Sequence, residues 1–211
     1  MIKRANHASK KAARISLKRT ATHRPVRLRT PLGSDAVMVR RISGKEELSS
    51  PFHYELELVT ENRSFDPGSL IGSAVTIDID LPRRGVRHIN GIIWSCQREP
   101  GSRRVTRVRA VIVPWLRLLK QSIDCRIFQR MSVPEIIKQV FRDHGFSAFR
   151  DTLSATYPRR EYCVQYQETA LAFVTRLMED EGICYRFDHT RDRHELVLMD
   201  TTTVAEPSRW C

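Results

Sequence analysis

Two stretches in the first half of the chain alternate strictly between apolar and polar residues. Phe52, Tyr54, Leu56 and Leu58 are separated by His53, Glu55 and Glu57, and Val75, Ile77, Ile79 and Leu81 by Thr76, Asp78 and Asp80. A period of two sends every second side chain to the same face of a pleated strand. These segments are therefore half-buried antiparallel strands, one face on a core and one in water. Leu81-Pro82-Arg83-Arg84-Gly85-Val86 reads as a turn into a return strand from about Arg87 to Cys96. Pro100-Gly101-Ser102 is the next turn, and Val105 to Val113 the next strand, which Pro114 ends because it has no N–H to donate. Pro67-Gly68 and Gly72 interrupt the connection after Val59. Short strands from about residue 36 onward, with no helical stripe between them, predict a small antiparallel β-barrel or sandwich over residues 31–115.

The period changes after Trp115. Ser132-Val133-Pro134-Glu135 is a capping box, with Pro134 in the first turn where its missing N–H leaves no gap. Val133, Ile136, Ile137, Val140 and Phe141 then form one apolar stripe at helical spacing, and Gly145 supplies a left-handed stop. Burying five such side chains is worth about 7–15 kcal/mol as an upper bound, against about 1 kcal/mol for the cap. The stripe decides that the helix docks, and the cap decides where it begins. A second helix is expected from Thr169 to Glu181, with Ala170, Phe173, Val174, Leu177 and Met178 as its buried face and Gly182 after it. Tyr162, Val164 and Tyr166 alternate as a strand, and Ile183–Phe187 with Glu195–Met199 reads as a hairpin across residues 190–193. The fold class is α+β: a small antiparallel barrel, then an α+β domain with two helices over residues 116–200. Residues 201–211 show no periodicity and read as a loose tail.

The formal net charge of +12 is unevenly placed. Residues 1–30 hold ten of the 36 basic residues and none of the 24 acidic ones, so the remaining chain is nearly neutral. A basic arm can grip phosphate through counterion release, which makes a nucleic-acid-binding module one reading. The arm has no aromatic residue to stack on bases, so a disordered solvated tail over residues 1–30, or an upstream extension of the reading frame, fits better. An organellar presequence shares the acid-free composition, but the body of the chain points elsewhere. Met1 to Arg29 has no apolar segment of the secretory kind, and no apolar run approaches the roughly 20 residues of a membrane-spanning helix. Cysteines at 96, 125, 163, 184 and 211 are odd in number and widely spaced, which argues against a disulfide framework and suits synthesis in a reducing cytoplasm.

Candidate chemistry is sparse. The chain has no nucleophile elbow, zinc-protease, Walker or dinucleotide signature, and no pair of cysteines at metal-ligand spacing. Ser43-Gly44-Lys45 resembles the tail of a phosphate loop without its upstream glycine. His189 and His194 flank the hairpin turn and could share a metal with Asp188 or Asp192, but two exposed turn histidines are the plainer reading. Glu179, Asp180 and Glu181 crowd a helix C-terminus, where the dipole disfavours them; adjacent acids point apart, so a solvated face or a salt bridge is expected. Trp94, Trp115 and Trp210 are read as core or rim residues, and Phe128, Phe146 and Phe149 as packing around the first helix. No catalytic, cofactor or metal residue is assigned.

The order of motifs resembles the opening of the VgrG family, spike-tip proteins of bacterial type VI secretion related to phage tail baseplate hubs. The resemblance is carried by Arg29-Thr30-Pro31-Leu32-Gly33, Val39-Arg40-Arg41-Ile42-Ser43-Gly44-Lys45-Glu46-Glu47-Leu48 and Pro51-Phe52-His53-Tyr54-Glu55-Leu56-Glu57-Leu58. It continues through Val113-Pro114-Trp115-Leu116, Asp124-Cys125-Arg126-Ile127-Phe128 and Ser132-Val133-Pro134-Glu135-Ile136. It is strongest in Tyr157 to Tyr166 and in Glu179-Asp180-Glu181-Gly182-Ile183-Cys184-Tyr185-Arg186-Phe187.

The resemblance implies a mechanical role. Such proteins trimerise, and each chain contributes two related barrels, so three chains match a hexameric tube of Hcp-type subunits. An OB-like domain and a trimeric needle follow, effector cargo rides on the tip, and the whole is exported by the type VI machinery. The resemblance stops near Asp200, and the second barrel, OB-like domain and needle lie outside this sequence. A truncated or split-gene hub fragment is therefore expected, with a barrel that could lack strands and leave an edge unpaired. A phage tail hub protein has the same architecture on a different particle.

Overall fold

In a computed structural model of the chain, the described residues are 24–33, 36–100 and 105–200. The alternating stretches become strands of one six-stranded sheet, made of β1 (Val26–Arg29), β2 (Met38–Glu47), β3 (Ser50–Thr60), β4 (Ala74–Leu81), β5 (Gly85–Glu99) and β6 (Thr106–Val113). Their spatial order is β1-β4-β5-β6-β3-β2, with every pairing antiparallel. Phe52, Tyr54, Leu56 and Leu58 of β3 are buried, while His53 and Glu55 are exposed. They share a core with Leu28, Ile77, Ile89, Ile93, Val108 and Ile112 from four further strands. The curvature is that of a half-barrel. β1 and β2 are its two edges and are not paired with each other, the unpaired edge expected of an incomplete barrel.

Two corrections follow from β1. The basic stretch was expected to be disordered through residue 30, yet Val26–Arg29 pairs with β4 in the register Val26↔Ile79 to Arg29↔Thr76. Leu28 faces the core, and two arginines on the other face reach acids of β4: Arg27 lies 2.7 Å from Asp80 and Arg29 lies 3.0 Å from Asp78. The remainder of the arm, residues 1–23, lies outside the described residues. Thr76 and Asp78, expected in water, are also buried. Arg29 and His88 close over the Asp78 carboxylate, and Thr76 meets the Asn90 amide at 3.0 Å.

Gly91 permits the close approach of β5 to β6. A Cβ there would come within 2.3 Å of Ile112 Cγ2 and 2.9 Å of the Val113 carbonyl oxygen.

The second unit begins with a 3-10 turn over Trp115–Gln121 and holds α1 (Val133–Asp143) and α2 (Ala170–Asp180). The five stripe residues of α1 are all 0% exposed, and the five of α2 are buried against them. The capping box forms, with the Glu135 carboxylate accepting the Ser132 N–H at 2.8 Å. The Ser132 N–H and hydroxyl hold the Glu135 carboxyl below its usual range. Gly145 and Gly182 adopt φ of 81° and 67° just beyond the two helices. A two-stranded ribbon, β7 (Ile123–Met131) with β9 (Arg160–Thr169), covers one side of the helices. β8 (Phe149–Asp151) adds parallel to the hairpin of β10 (Cys184–His189) and β11 (His194–Met199). Phe146 stacks on Trp115 at 4.7 Å and Phe149 meets Phe141 of α1, as expected. Phe128 instead stacks on Phe173 of α2 at 5.5 Å.

Candidate functional site

The chemistry-bearing residues converge where the β10–β11 hairpin docks on the open sheet. The hairpin turn is closed by Thr190, whose N–H donates to the Arg193 carbonyl at 2.9 Å. This turn places His189 and His194 opposite each other in register, with ring centroids 5.9 Å apart. Both were expected to be exposed, yet His194 is buried and the His189 side chain is only 9% exposed: Phe52 of β3 packs on both rings and on Phe187. Each histidine ring accepts a backbone N–H, His189 from the sheet and His194 from the turn that opens its own unit. Asn90 donates to His189 Nδ1 at 3.0 Å, and Trp115 donates to His194 Nε2 at 3.1 Å.

An imidazole nitrogen accepts a hydrogen bond only when it carries no proton, so both rings are neutral. Burial pushes both histidines below their ordinary pKa, His194 to about 3. The protons that remain are on His189 Nε2 and His194 Nδ1. His189 Nε2 faces Glu46 at 3.6 Å, and Glu46 also accepts the Tyr54 hydroxyl at 2.6 Å and Arg87 at 2.9 Å. Burial and the Glu46 carboxylate drive the Tyr54 hydroxyl pKa upward.

Further bonds lock the same seam. The Ser49 N–H, at the tip of the β2–β3 hairpin with φ 56°, donates to the Tyr185 carbonyl at 2.8 Å. Arg29 reaches Asp192 at 3.1 Å and the Arg191 carbonyl. With its amide nitrogen facing the hairpin, Asn90 donates to the Arg193 and Thr190 carbonyls at 2.8 and 3.0 Å. Beside these contacts lies a cleft of about 370 Å³, lined in part by Val75, Gly91, Trp115 and His194.

The sequence candidates fall into place around this seam or away from it. His189 and His194 meet, but the two acids suggested as metal partners are engaged elsewhere. Asp188 pairs with Arg150 and Arg186, each at 2.8 Å, and Asp192 pairs with Arg29. No cluster of three metal-ligating side chains occurs among the described residues. Ser43, Gly44 and Lys45 lie in β2 and not in a loop. Gly44 stands opposite Tyr54, where a Cβ would come within 2.0 Å of the ring, so the glycine admits an aromatic and not a phosphate. At the end of α2, Glu181 pairs with Arg160 at 2.6 Å and Asp180 with the same arginine at 3.9 Å, the salt bridge expected of them. Cys96 and Cys163 are buried, and burial raises the Cys96 thiol to about 11. Trp94 is half-buried, Trp115 is buried, and Trp210 and Cys211 lie outside the described residues. What the sequence did not reveal is Asn90, a polar strand residue whose value lies in its amide facing a turn a hundred residues away.

The model of the phage tail baseplate hub family matches residues 45–209. The chain belongs to this family. Over 177 residues the hub chain is 48% identical to the type VI secretion system spike protein VgrG1b of Pseudomonas aeruginosa, a match that covers 84% of this chain and 24% of that protein. Its fold is similar to that of the Escherichia coli c3393 protein, a component of the type VI secretion system, with TM-score 0.78 and 26% identity over 85% of this chain and 50% of that one. A chain of a Francisella PdpA–VgrG complex shares the fold at TM-score 0.61 and 10% identity, over 83% of this chain and 31% of that one. The hub chain thus spans about a quarter of the length of the curated relative. The family match runs to residue 209, past Asp200, where the resemblance was expected to stop. No helix among the described residues is long and apolar enough to cross a membrane.

Proposed function

We propose that this chain is a structural hub element of a contractile injection machine. Three copies stand around an axis against a hexameric tube of Hcp-type subunits, and the assembly travels outward when the machine fires. The observation that carries this reading is 48% identity to a secretion spike protein across 84% of the chain, on a fold whose two units are joined by the Asn90 N–H to the neutral His189 ring. A part that transmits force gains from such a seam, because hydrogen bonds shielded from water hold two packed units in one orientation.

Its work on this reading is mechanical, without turnover of a substrate, and effector cargo would be carried by the assembled spike. The phage tail hub is the second reading, favoured by the description of the family itself. A nucleic-acid role through the arm is weaker, because Arg27 and Arg29 are already committed to carboxylates of β4. The test is to mix the purified chain with hexameric rings of an Hcp-type protein and follow co-elution. Binding of DNA in place of rings, lost on deleting residues 1–23, would favour the arm.

A further inference from the structure

The outer face of the β7–β9 ribbon is apolar and uncovered. In the register Cys125↔Tyr166, Ile127↔Val164 and Gln129↔Tyr162, every second residue of each strand points away from the helices. Ile123, Ile127, Tyr162 and Tyr166 are 67–71% exposed and Val164 is 48% exposed. The opposite face is the one that packs inward, through Phe128 and Cys163. Alternation with apolar residues on both faces is expected of a strand covered on both sides, and here one cover is missing.

We propose that this face is the contact between neighbouring copies of the chain in the hub, an inference that rests on the multi-copy reading above. Five large side chains exposed to this degree hold roughly 500 Å², at the upper end of what monomeric proteins leave bare. With an equal area on the neighbour, burial reaches roughly 1,000 Å², the size at which a specific protein contact becomes plausible. Tyrosines at both ends with Ile127 and Val164 between them give the centre the aromatic, charge-free make-up of a contact between like chains. Outside residues 1–30 the chain carries 26 basic and 24 acidic residues, so copies brought together by this body do not repel strongly. A phosphate-bearing partner would instead need a basic face.

The ribbon is held stiffly from behind. Phe128 stacks on Phe173, and Arg126 lies over the Phe128 ring and pairs with Asp143 of α1. The helical unit is in turn fixed to the sheet through the seam. A copy seated on the ribbon would therefore set the angle between neighbouring half-barrels.

The experiment is sedimentation of the full chain over a concentration series, alone and as the Ile127→Lys/Tyr166→Lys double variant. Both side chains are exposed, so an unchanged thermal midpoint shows that the variant folds. The wild-type chain is expected to self-associate in the micromolar range, and the variant to need at least roughly tenfold more protein. Assembly untouched by the substitutions would overturn the inference, and so would a wild-type chain that stays monomeric or associates only with full-length VgrG1b. In each of those cases, retained binding to Hcp-type rings would leave the hub reading standing; loss of ring binding by the wild type would remove the hub reading itself.

Discussion

The Trp115 N–H donates to the His194 ring at 3.1 Å, tying the turn that follows β6 to the hairpin that docks on the sheet. The bond exists only while His194 Nε2 is unprotonated. Folded, His194 binds a proton near pH 3; released from the seam, it does so near 6.5. The released state therefore takes up protons first as pH falls. The seam's contribution from this residue is fully present above pH 6.5 and is lost progressively below it. His189 shifts in the same direction, for the same reason of burial.

At pH 5 His194 lowers stability by about 2 kcal/mol relative to pH 7, and His189 acts in the same direction. Urea midpoints measured from pH 7.5 to 5 should fall, and His194→Leu should flatten that fall while lowering the midpoint at pH 7.5. A pH profile identical in wild type and variant would show that the ring does not sense acid.

Gly91→Ala should destabilise the sheet by about 1–3 kcal/mol, the usual result of forcing a methyl into filled space. One of its neighbours would be the Val113 carbonyl oxygen, which is backbone and cannot swing aside. The midpoint of chemical unfolding measures this directly.

Two arginines in β1 should behave differently although both pair with acids of β4. Asp78 has a side chain only 12% exposed, whereas Asp80 is 43% exposed. Arg29→Ala leaves the buried carboxylate to His88 alone and removes the strap to Arg191 and Asp192, so a loss of about 3 kcal/mol is expected. Arg27→Ala should lose less than about 1 kcal/mol. Equal effects in thermal unfolding would place the two pairs in the same environment, against the structure.

Much of this architecture was legible because burial is one-sided. Leu56 and Val140 each belong to a stripe with a single period, and both are fully buried where that period puts them. β7 was missed because Ile123 and Ile127 face outward while Phe128 faces inward, so the segment shows no clean polar alternation. β1 was missed because its arginines looked like part of a charged tail; only the placement of Asp78 and Asp80 on the neighbouring strand reveals their partners. The seam was half visible. The hairpin that carries His189 and His194 could be read from its turn, but their burial depends on Phe52, Asn90 and Trp115, which are distant in sequence. The family likeness, by contrast, survives such errors because it rests on the order of whole blocks.

The most direct test of the account is the native mass of the chain mixed with hexameric Hcp-type rings. A scaffold of this family should yield a complex that saturates at three chains per ring. Free rings and free chain at every mixing ratio would contradict it.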